Sequence, residues 1–257
     1  MTQQEIAAKL TAAGIENAAW EAKLLCEHLS GEALIQAVAR RCEHYPLQYI
    51  LGEWYFYREC YEVSEHCLIP RSDTEILVDT AIKMLPNGAR FLDLCTGSGC
   101  VAISTLANRT DTVATAVDLF PQTLALASRN ATKNGVGTRI DFLCHDVLTP
   151  PPASLGHSSF DAILSNPPYI QNDIVPTLQR EVGFEPSAAL MGGADGLDFY
   201  RAILEKWCVL LKPQGLLILE IGYDQGKALQ DLAAAFGFSS TVKKDFGGND
   251  RVVILQK

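Results

Sequence analysis

The chain has no apolar run approaching the roughly 20 residues that a membrane-spanning helix needs. Its amino terminus, Met1-Thr2-Gln3-Gln4-Glu5, lacks both the basic stretch and the apolar core of an export signal, so a cytoplasmic protein is expected, without membrane attachment. Basic residues are scarce: 21 Lys and Arg stand against 30 Asp and Glu, a net charge of -9. That balance argues against a surface built to grip a long phosphate backbone, though not against a local basic patch, and no direct nucleic-acid partner is expected. Paired cysteines are missing too. Cys26, Cys42, Cys60, Cys67, Cys95, Cys100, Cys144 and Cys208 form no CxxC pair and no zinc-type spacing, and are expected as buried reduced thiols. The five histidines show no paired spacing for metal or base work, so no metal is expected. Repeats and low-complexity tracts are absent as well.

What is present is a chain of 257 residues, 48% hydrophobic and 20% charged, long enough for one full α/β domain with a small appendage. From residue 6 to residue 41 the apolar spacing is helical. Ile6, Leu10 and Ala13 share one face; Trp20, Leu24, Leu25 and Leu29 mark a second helix ending at Gly31; Leu34, Ile35 and Val38 mark a third running into Arg40 and Arg41. Three short helices bury little alone, so they must dock on the rest of the chain or on a partner. Between residues 45 and 70, Tyr49, Trp54, Tyr55, Phe56, Tyr57 and Tyr61 crowd around Gly52, which reads as a hairpin linking two domains.

Ser72 and Glu75 have the spacing of a capping box ahead of a helix over 76–85. Beyond it strand and helix alternate, which predicts a parallel sheet covered on both faces. Strands are expected near 90–95, 112–117, 139–144, 159–165 and 215–221, and helices near 99–108, 121–134, 196–211 and 225–236. Pro121 opens and Gly135 closes the second of these helices. Two closing strands, near 238–244 and 251–256, are joined through Gly247-Gly248-Asn249-Asp250 and bring the total to seven.

Asn166-Pro167-Pro168-Tyr169 follows the apolar run 160–165 directly. The prolines stop the strand and leave polar groups at its carboxyl end, where open α/β sheets bind ligands. The Asn166 side-chain oxygen and the Pro167 carbonyl can each accept one hydrogen of a planar NH₂ group, while the Tyr169 ring covers that group from one side. Such a nitrogen is a poor nucleophile because its lone pair is delocalised; two placed acceptors favour pyramidalisation and aim the lone pair.

A second motif, Asp93-Leu94-Cys95-Thr96-Gly97-Ser98-Gly99, lies between the first strand of the sheet and its helix. Gly97 and Gly99 admit a ligand close to the backbone, and the free N–H groups of the helix favour an anionic group. Asp118 ends the next strand, placed to hold two ribose hydroxyls; Asp146, with Val147, ends the third and suits an adenine ring. Gly97, Gly99 and Ala102 also satisfy the dinucleotide fingerprint, so a nicotinamide-dependent oxidoreductase is a rival. Asp93 suits the amino group of a cofactor that carries an amino acid, and a hydride site has no use for the proline-rich acceptor motif. Together the features indicate S-adenosylmethionine and methyl transfer to nitrogen. Two further rivals are an adenine-N6 methyltransferase acting on DNA or RNA, which should show a basic face, and a non-catalytic binding module, which should lack an intact site.

The chain also resembles the peptide-chain-release-factor glutamine methyltransferases. The resemblance rests on blocks in the family's order: 46–52 (Pro46-Leu47-Gln48-Tyr49-Ile50-Leu51-Gly52), 68–75, 166–169, Glu185-Pro186 with Gly196-Leu197-Asp198, 219–222 and 245–251. It implies a class I S-adenosylmethionine-dependent methyltransferase, Rossmann-like, with a seven-stranded mostly parallel sheet and a small N-terminal helical domain. Residues 1–45 would be the helical substrate-binding domain, 46–70 a β-hairpin linker and 71–257 the methyltransferase domain. The implied activity is methylation of the side-chain amide of the glutamine in the Gly-Gly-Gln loop of class I release factors, a step in translation termination, leaving S-adenosylhomocysteine; a monomer is expected. By the resemblance the cofactor loop falls on Cys95, Thr96, Gly97, Ser98 and Gly99, the ribose acid on Asp118 and the adenine side on Val147 beside Asp146. Asn166 would serve cofactor and substrate, with Pro167, Pro168 and Tyr169 completing the glutamine pocket. Three departures stand out: Cys95 occupies the family's usual first glycine, Ser72 replaces a common proline, and the N-terminal part is about one helix short. The glutamate pair Glu185 and Glu220 is expected to be buried without a catalytic role.

Overall fold

The computed structural model describes residues 1–257. Helices α1 (Gln3–Ala12), α2 (Ala18–His28) and α3 (Gly31–Cys42) form a bundle around Ile6, Leu10, Ala22, Leu25, Leu34 and Val38. Two aromatic and aliphatic residues expected on the inner face lie outside it. Trp20 is 51% exposed, edge-on to Trp54 with centroids 6.3 Å apart, and Ile35 is 47% exposed. Gly31 opens α3 with φ of 59° instead of closing α2. A short helix, α4 (Leu47–Leu51), ends at Gly52 (φ 77°) and delivers the chain to the hairpin β1 (Glu53–Phe56) and β2 (Glu59–Glu62), which turns at Tyr57 and Arg58.

The capping box is found at the other end of the chain. Thr2 Oγ1 accepts from Glu5 N at 3.3 Å and Glu5 Oε2 accepts from Thr2 N at 2.8 Å, at the start of α1. At the expected place, Ser72–Thr74 is a single 3₁₀ turn without a side-chain cap, followed by α5 (Glu75–Met84). Glu75 Oε1 instead accepts from the Tyr57 N–H at 2.9 Å. That donor sits in a turn of left-handed backbone (Tyr57 φ 58°) with no ladder partner to satisfy it, so it competes successfully for the glutamate.

The remaining elements are β3 (Arg90–Leu94), α6 (Cys100–Asn108), β4 (Val113–Asp118), α7 (Pro121–Lys133), β5 (Ile140–Cys144), β6 (Phe160–Ser165), α8 (Asp198–Ala202), β7 (Leu211–Glu220), α9 (Gly226–Ala235), β8 (Ser239–Lys244) and β9 (Asp250–Gln256). The seven strands stand in the order β5-β4-β3-β6-β7-β9-β8, parallel except for β9, which runs against both neighbours. Alternate residues face opposite layers. Phe91, Ala162, Leu164 and Ile218 meet α5 and α6, while Leu92, Leu94, Ile163, Leu217 and Leu219 meet Tyr200, Trp207 and α9. The helix expected over 196–211 is interrupted: after α8 the backbone widens into a π turn over 203–207 and tightens into 3₁₀ over 208–210. Trp207 is wholly buried there and donates Nε1–H to the Val147 carbonyl at 2.9 Å, fixing the strand-end turn below it. No helix is long and apolar enough to cross a membrane, and all eight cysteines are free, two of them buried and Cys144 exposed.

One side chain binds hairpin, helix and glycine loop together. Asn130, fully buried on α7, accepts from Glu62 N (2.7 Å) and donates to Glu62 O (3.0 Å) and Ser98 O (2.9 Å). Asn130→Ala should therefore lower the unfolding free energy by about 2–4 kcal/mol, because it leaves buried backbone groups unpaired. Urea denaturation of the two proteins checks this; a loss under about 0.5 kcal/mol would mean that the hairpin and loop are held by other contacts.

Candidate functional site

Strand order reverses between β3 and β6, so their carboxyl ends splay and open a crevice there. A cavity of about 320 Å³ fills it, within the usual range for a small-molecule site. Cys95, Thr96, Gly97 and Ser98 line it on one side, with Asp118 at the end of β4, Asp146 and Val147 beyond β5, and Asn166 and Pro168 beyond β6. These are nine of the residues singled out from the sequence, brought together from four strand ends.

The remaining predicted residues lie beside the cavity without lining it. Asp93 is fully buried on the face of β3 that meets α6. Its Oδ2 accepts from Thr96 Oγ1 (2.6 Å) and Ala102 N (3.2 Å), so it pins the loop to the first turn of α6. Burial pushes this carboxyl up to about 7, against the pull of those two donors. Gly99 (φ 83°) is the N-cap of α6, and a Cβ there would meet Ile103 Cδ1 at 2.7 Å; the constraint on it is helix packing. Gly97 (φ 56°) has the left-handed backbone that favours glycine, and it faces the open space of the cavity. Cys95 adopts φ of 59°, the left-handed region that a glycine would occupy without strain, and its side chain packs against the core cluster that holds Leu94, Leu219 and Tyr200.

Asp118 holds the loop in place from the opposite side. Its Oδ2 accepts from Gly97 N (3.0 Å) and Oδ1 from Phe120 N (3.1 Å). Burial raises its carboxyl while these donors lower it. Asp146 Oδ1 accepts from Leu148 N at 2.8 Å, which shapes the turn that presents Val147 and Leu148 to the cavity.

In the acceptor motif, Asn166 donates Nδ2–H to Thr74 Oγ1 at 3.1 Å, which leaves Oδ1 for the cavity. No backbone N–H donates to the Pro167 carbonyl. Tyr169 departs from expectation: its ring packs against the sheet core and its hydroxyl donates to Glu220 Oε1 at 3.4 Å, so the cavity is lined by Pro168 and not by the tyrosine face. The reason is local. Gln225 Nε2 grips the Tyr169 carbonyl at 2.9 Å, and Gly192 and Gly196 crowd the same peptide so closely that a Cβ would lie 2.6 Å from Tyr169 Cα or 2.3 Å from Tyr169 O. The backbone is clamped in the orientation that turns the ring inward.

Several residues outside the sequence motifs complete the site. Thr74, buried in the turn before α5, touches Asn166; its signal was its place in the block 68–75, without a pattern to mark it out. Arg71, readable as a solvated charge, lines the cavity and pairs with the buried Glu185, whose Oε2 also accepts from Ile69 N at 2.9 Å. Pro186, Ala188, Ala189 and Met191 form the facing wall. A nucleoside carrying an amino acid fits this set: Asp118 at the end of β4 for hydroxyls, Phe120, Val147 and Leu148 as apolar surfaces for a base, and a buried Ser98 hydroxyl without a partner in the loop.

Comparison with known proteins agrees with this architecture. The family model described as methyltransferase small domain matches residues 72–181. A protein of Thermodesulfovibrio yellowstonii is 42% identical over 226 residues, 86% of this chain and 79% of that one. One of Caulobacter vibrioides is 35% identical over 96% of this chain and 92% of its own. Both are named release factor glutamine methyltransferase. Among solved structures, a methyltransferase of Pyrococcus furiosus superposes with a TM-score of 0.57 at 19% identity, covering 77% of this chain and 88% of that one. TrmN of Thermus thermophilus superposes with a TM-score of 0.50 at 26% identity, over 72% of this chain and 48% of its own. The fold is that of the class I S-adenosylmethionine-dependent methyltransferases.

The buried carboxyl of Asp93 gives a signed pH effect. Its proton is held in the folded state up to about 7 and given up near the ordinary carboxylate value when unfolded, so the native state binds more protons across that window and stability falls as pH rises. Asp93→Asn should remove roughly 1–3 kcal/mol of that fall between about pH 4 and 7. Urea titrations of both proteins across the window measure it; equal slopes would show that Asp93 ionises normally.

Proposed function

The chain belongs to the release factor glutamine methyltransferases, and from that premise we propose that it methylates the side-chain amide of the glutamine in the Gly-Gly-Gln loop of class I peptide chain release factors. The observation that carries the reading is the pair of acceptors at the end of β6. Asn166 has its amide nitrogen engaged by Thr74, and the Pro167 carbonyl is free of backbone donors. Two oxygens in adjacent residues match the two hydrogens of a planar NH₂ group, which a glutamine side-chain amide carries.

When bound, S-adenosylmethionine supplies a methyl group made electrophilic by a positive sulfonium and leaves as S-adenosylhomocysteine. The residues that would hold it are Cys95 to Ser98 of the loop, Asp118, Asp146 with Val147, and Asn166, all of which line the cavity. The chain's own contribution is orientation. Asn166 Oδ1 and the Pro167 carbonyl take one amide hydrogen each, which localises the nitrogen lone pair and directs it into the cavity. Pro168 forms the apolar floor beside them, and Tyr169 sets the backbone through Glu220 and Gln225. A strong base is not required before reaction, because an alkylated amide nitrogen sheds its proton readily. The helical residues 1–45 are the proposed partner-binding part, and residues 71–257 the methyltransferase domain.

Incubation of a purified release factor with this protein and S-adenosylmethionine, followed by mass spectrometry, tests the reading. The expected product is one methyl on the Gly-Gly-Gln glutamine, formed roughly a hundredfold more slowly by Asn166→Ala. An unmodified glutamine in the presence of an enzyme that binds S-adenosylmethionine would overturn the substrate assignment and make adenine in nucleic acid the next acceptor to assay. A second variant tests the clamp. Gly196→Ala drives a Cβ into the Tyr169 carbonyl and the Gln225 amide and should cost about tenfold or more in kcat. Gly183→Ala, which meets no atom within 4 Å, should leave the rate within about twofold. Equal rates for the two variants would show that the acceptor motif does not depend on this contact.

A further inference from the structure

Across the ends of the strands the cavity has a direction. Asp118 ends β4 and Asp146 lies beyond β5, while Asn166 lies beyond β6 on the other side of the glycine loop. A cofactor whose ribose meets Asp118 must bring its sulfonium to the Asn166 end, because the methyl passes to the amide held there. The amino-acid tail is bonded to the same sulfur, so its carboxylate arrives at that end too. Among Pro168, Pro186, Ala188 and Met191, an unpaired carboxylate would be costly. The glycine loop has few donors left for it. Thr96 N donates to Val117 O (3.0 Å), Gly97 N to Asp118, Gly99 N to Thr96 O (2.9 Å) and Ala102 N to Asp93.

Arg71 is the only Lys or Arg side chain that lines the cavity. It opens the turn that carries Thr74: Thr74 N donates to the Arg71 carbonyl at 3.1 Å, and Thr74 Oγ1 accepts from Asn166. Arg71 thus belongs to the acceptor end. Its guanidinium is held from behind. Nη2 donates to Glu185 Oε1, on a side chain that is 1% exposed, and Glu185 Oε2 is fixed in turn by Ile69 N at 2.9 Å. Nη2 is the only guanidinium nitrogen that donates to the protein, so Nε and Nη1 keep their hydrogens for another acceptor.

We propose that Arg71 is a binding residue for the carboxylate of S-adenosylmethionine, with Glu185 as the positioning residue that holds the guanidinium at the cavity. A planar fork of donors can serve Glu185 through one nitrogen and a second carboxylate through the others. Charge complementarity agrees. The cofactor carries a sulfonium, an ammonium and a carboxylate, and the cavity is lined by Asp118, Asp146 and Arg71. Glu185, buried and tied to the backbone at Ile69, keeps the half-exposed Arg71 from swinging out into water. The inference rests on the reading of the site as S-adenosylmethionine-dependent and is independent of which acceptor is methylated.

The test is a binding cycle, measured by calorimetry on the full chain and without a methylation step. S-adenosylmethionine and its decarboxylated form are titrated into the wild type, Arg71→Gln and Arg71→Lys. Arg71→Gln should weaken S-adenosylmethionine about 10- to 100-fold, the range for charge-assisted hydrogen bonds, and leave the decarboxylated form within about twofold. Arg71→Lys, which keeps the charge without the fork, should fall between the wild type and Arg71→Gln. Undiminished binding of the decarboxylated form shows in the same experiment that the cavity is intact. Equal loss for the two ligands would make Arg71 a structural residue and overturn the assignment. No loss for either would overturn it as well, and a raised KM for the release factor would then give Arg71 to the substrate protein. Should Arg71→Gln fail to fold, Arg71→Lys decides, since its loss must be confined to the ligand that carries the carboxylate. If the cycle shows the coupling and the release factor is not methylated, the carboxylate site stands and the substrate reading fails. A wild type that binds neither ligand overturns the cofactor reading and this inference together.

Discussion

A strand that must stop is the constraint on which the site depends. Pro167 and Pro168 cannot donate to a ladder, so pairing between β3 and β6 ends at Ser165 and the next residues leave the sheet at the point where strand order reverses. Ser165 Oγ donates to the Leu94 carbonyl at 2.6 Å, closing the last rung and tying the start of the acceptor motif to the start of the glycine loop. Both motifs therefore begin from adjacent residues on neighbouring strands. Their distance is fixed by a hydrogen-bonded ladder and not by loops, which is what a reaction sensitive to sub-ångström placement needs.

Around this frame the chain uses buried carboxylates as joints. Asp93 pins the glycine loop to α6, Asp118 pins it to the end of β4, and Glu185 ties Arg71 and Ile69 to the wall opposite. Each could be replaced in principle by an apolar contact, at lower desolvation cost. A carboxylate has the advantage of taking several backbone donors at once, in a loop whose glycines offer no side chains to pack. Rigidity of the loop is thereby obtained from hydrogen bonds, and the cavity stays open. Cys95 fits the same logic: its left-handed backbone carries a Cβ penalty that glycine would avoid, and the thiol's contact with the core gives some of that back.

Much of this was legible in the sequence, for physical reasons that differ by element. Strands such as 160–165 and 113–118 are buried on both faces, so their apolar runs bounded by polar residues could not be misread, and the ends of β3 to β6 located nine cavity residues. Side-chain direction was not legible. Tyr169 points inward because Gly192, Gly196 and Gln225, all remote in sequence, fix its peptide; a four-residue motif carries no information about them. Ser72 and Glu75 had the right spacing for a cap, and a donor from a hairpin turn took the glutamate instead. The helix expected over 196–211 is interrupted by a π turn over 203–207 that ends at Trp207, whose Nε1–H donates to the Val147 carbonyl; spacing alone does not signal such a turn. Thr74 matched no pattern, since its contact with Asn166 arises only from the fold. The amphipathic reading of the bundle put Trp20 and Ile35 inside on spacing alone, although a bundle of three short helices has too little interior for every apolar residue on it.

The bundle and the cavity wall share a single segment, which gives the N-terminal helices a structural connection to the site. Arg41 on α3 is bidentate to Glu21 of α2, at 2.6 and 3.1 Å, and reaches Glu181 at 3.0 Å; His44 meets the same Glu181 oxygen at 2.9 Å. Tyr45 stacks edge-on with Phe184, centroids 5.2 Å apart. One residue further along, Glu185 takes Arg71 and Ile69, and Pro186 to Ala189 then form the wall facing the glycine loop. A buried ion pair adds little net stability over an apolar contact, but it is intolerant of displacement, because separating the charges leaves each uncompensated. The position of the wall is thus referred through Glu181 to the helices on one side and through Glu185 to Ile69 and Arg71, ahead of α5, on the other. A partner seated on the helices and a glutamine side chain entering the cavity would meet parts of one continuous, hydrogen-bonded structure.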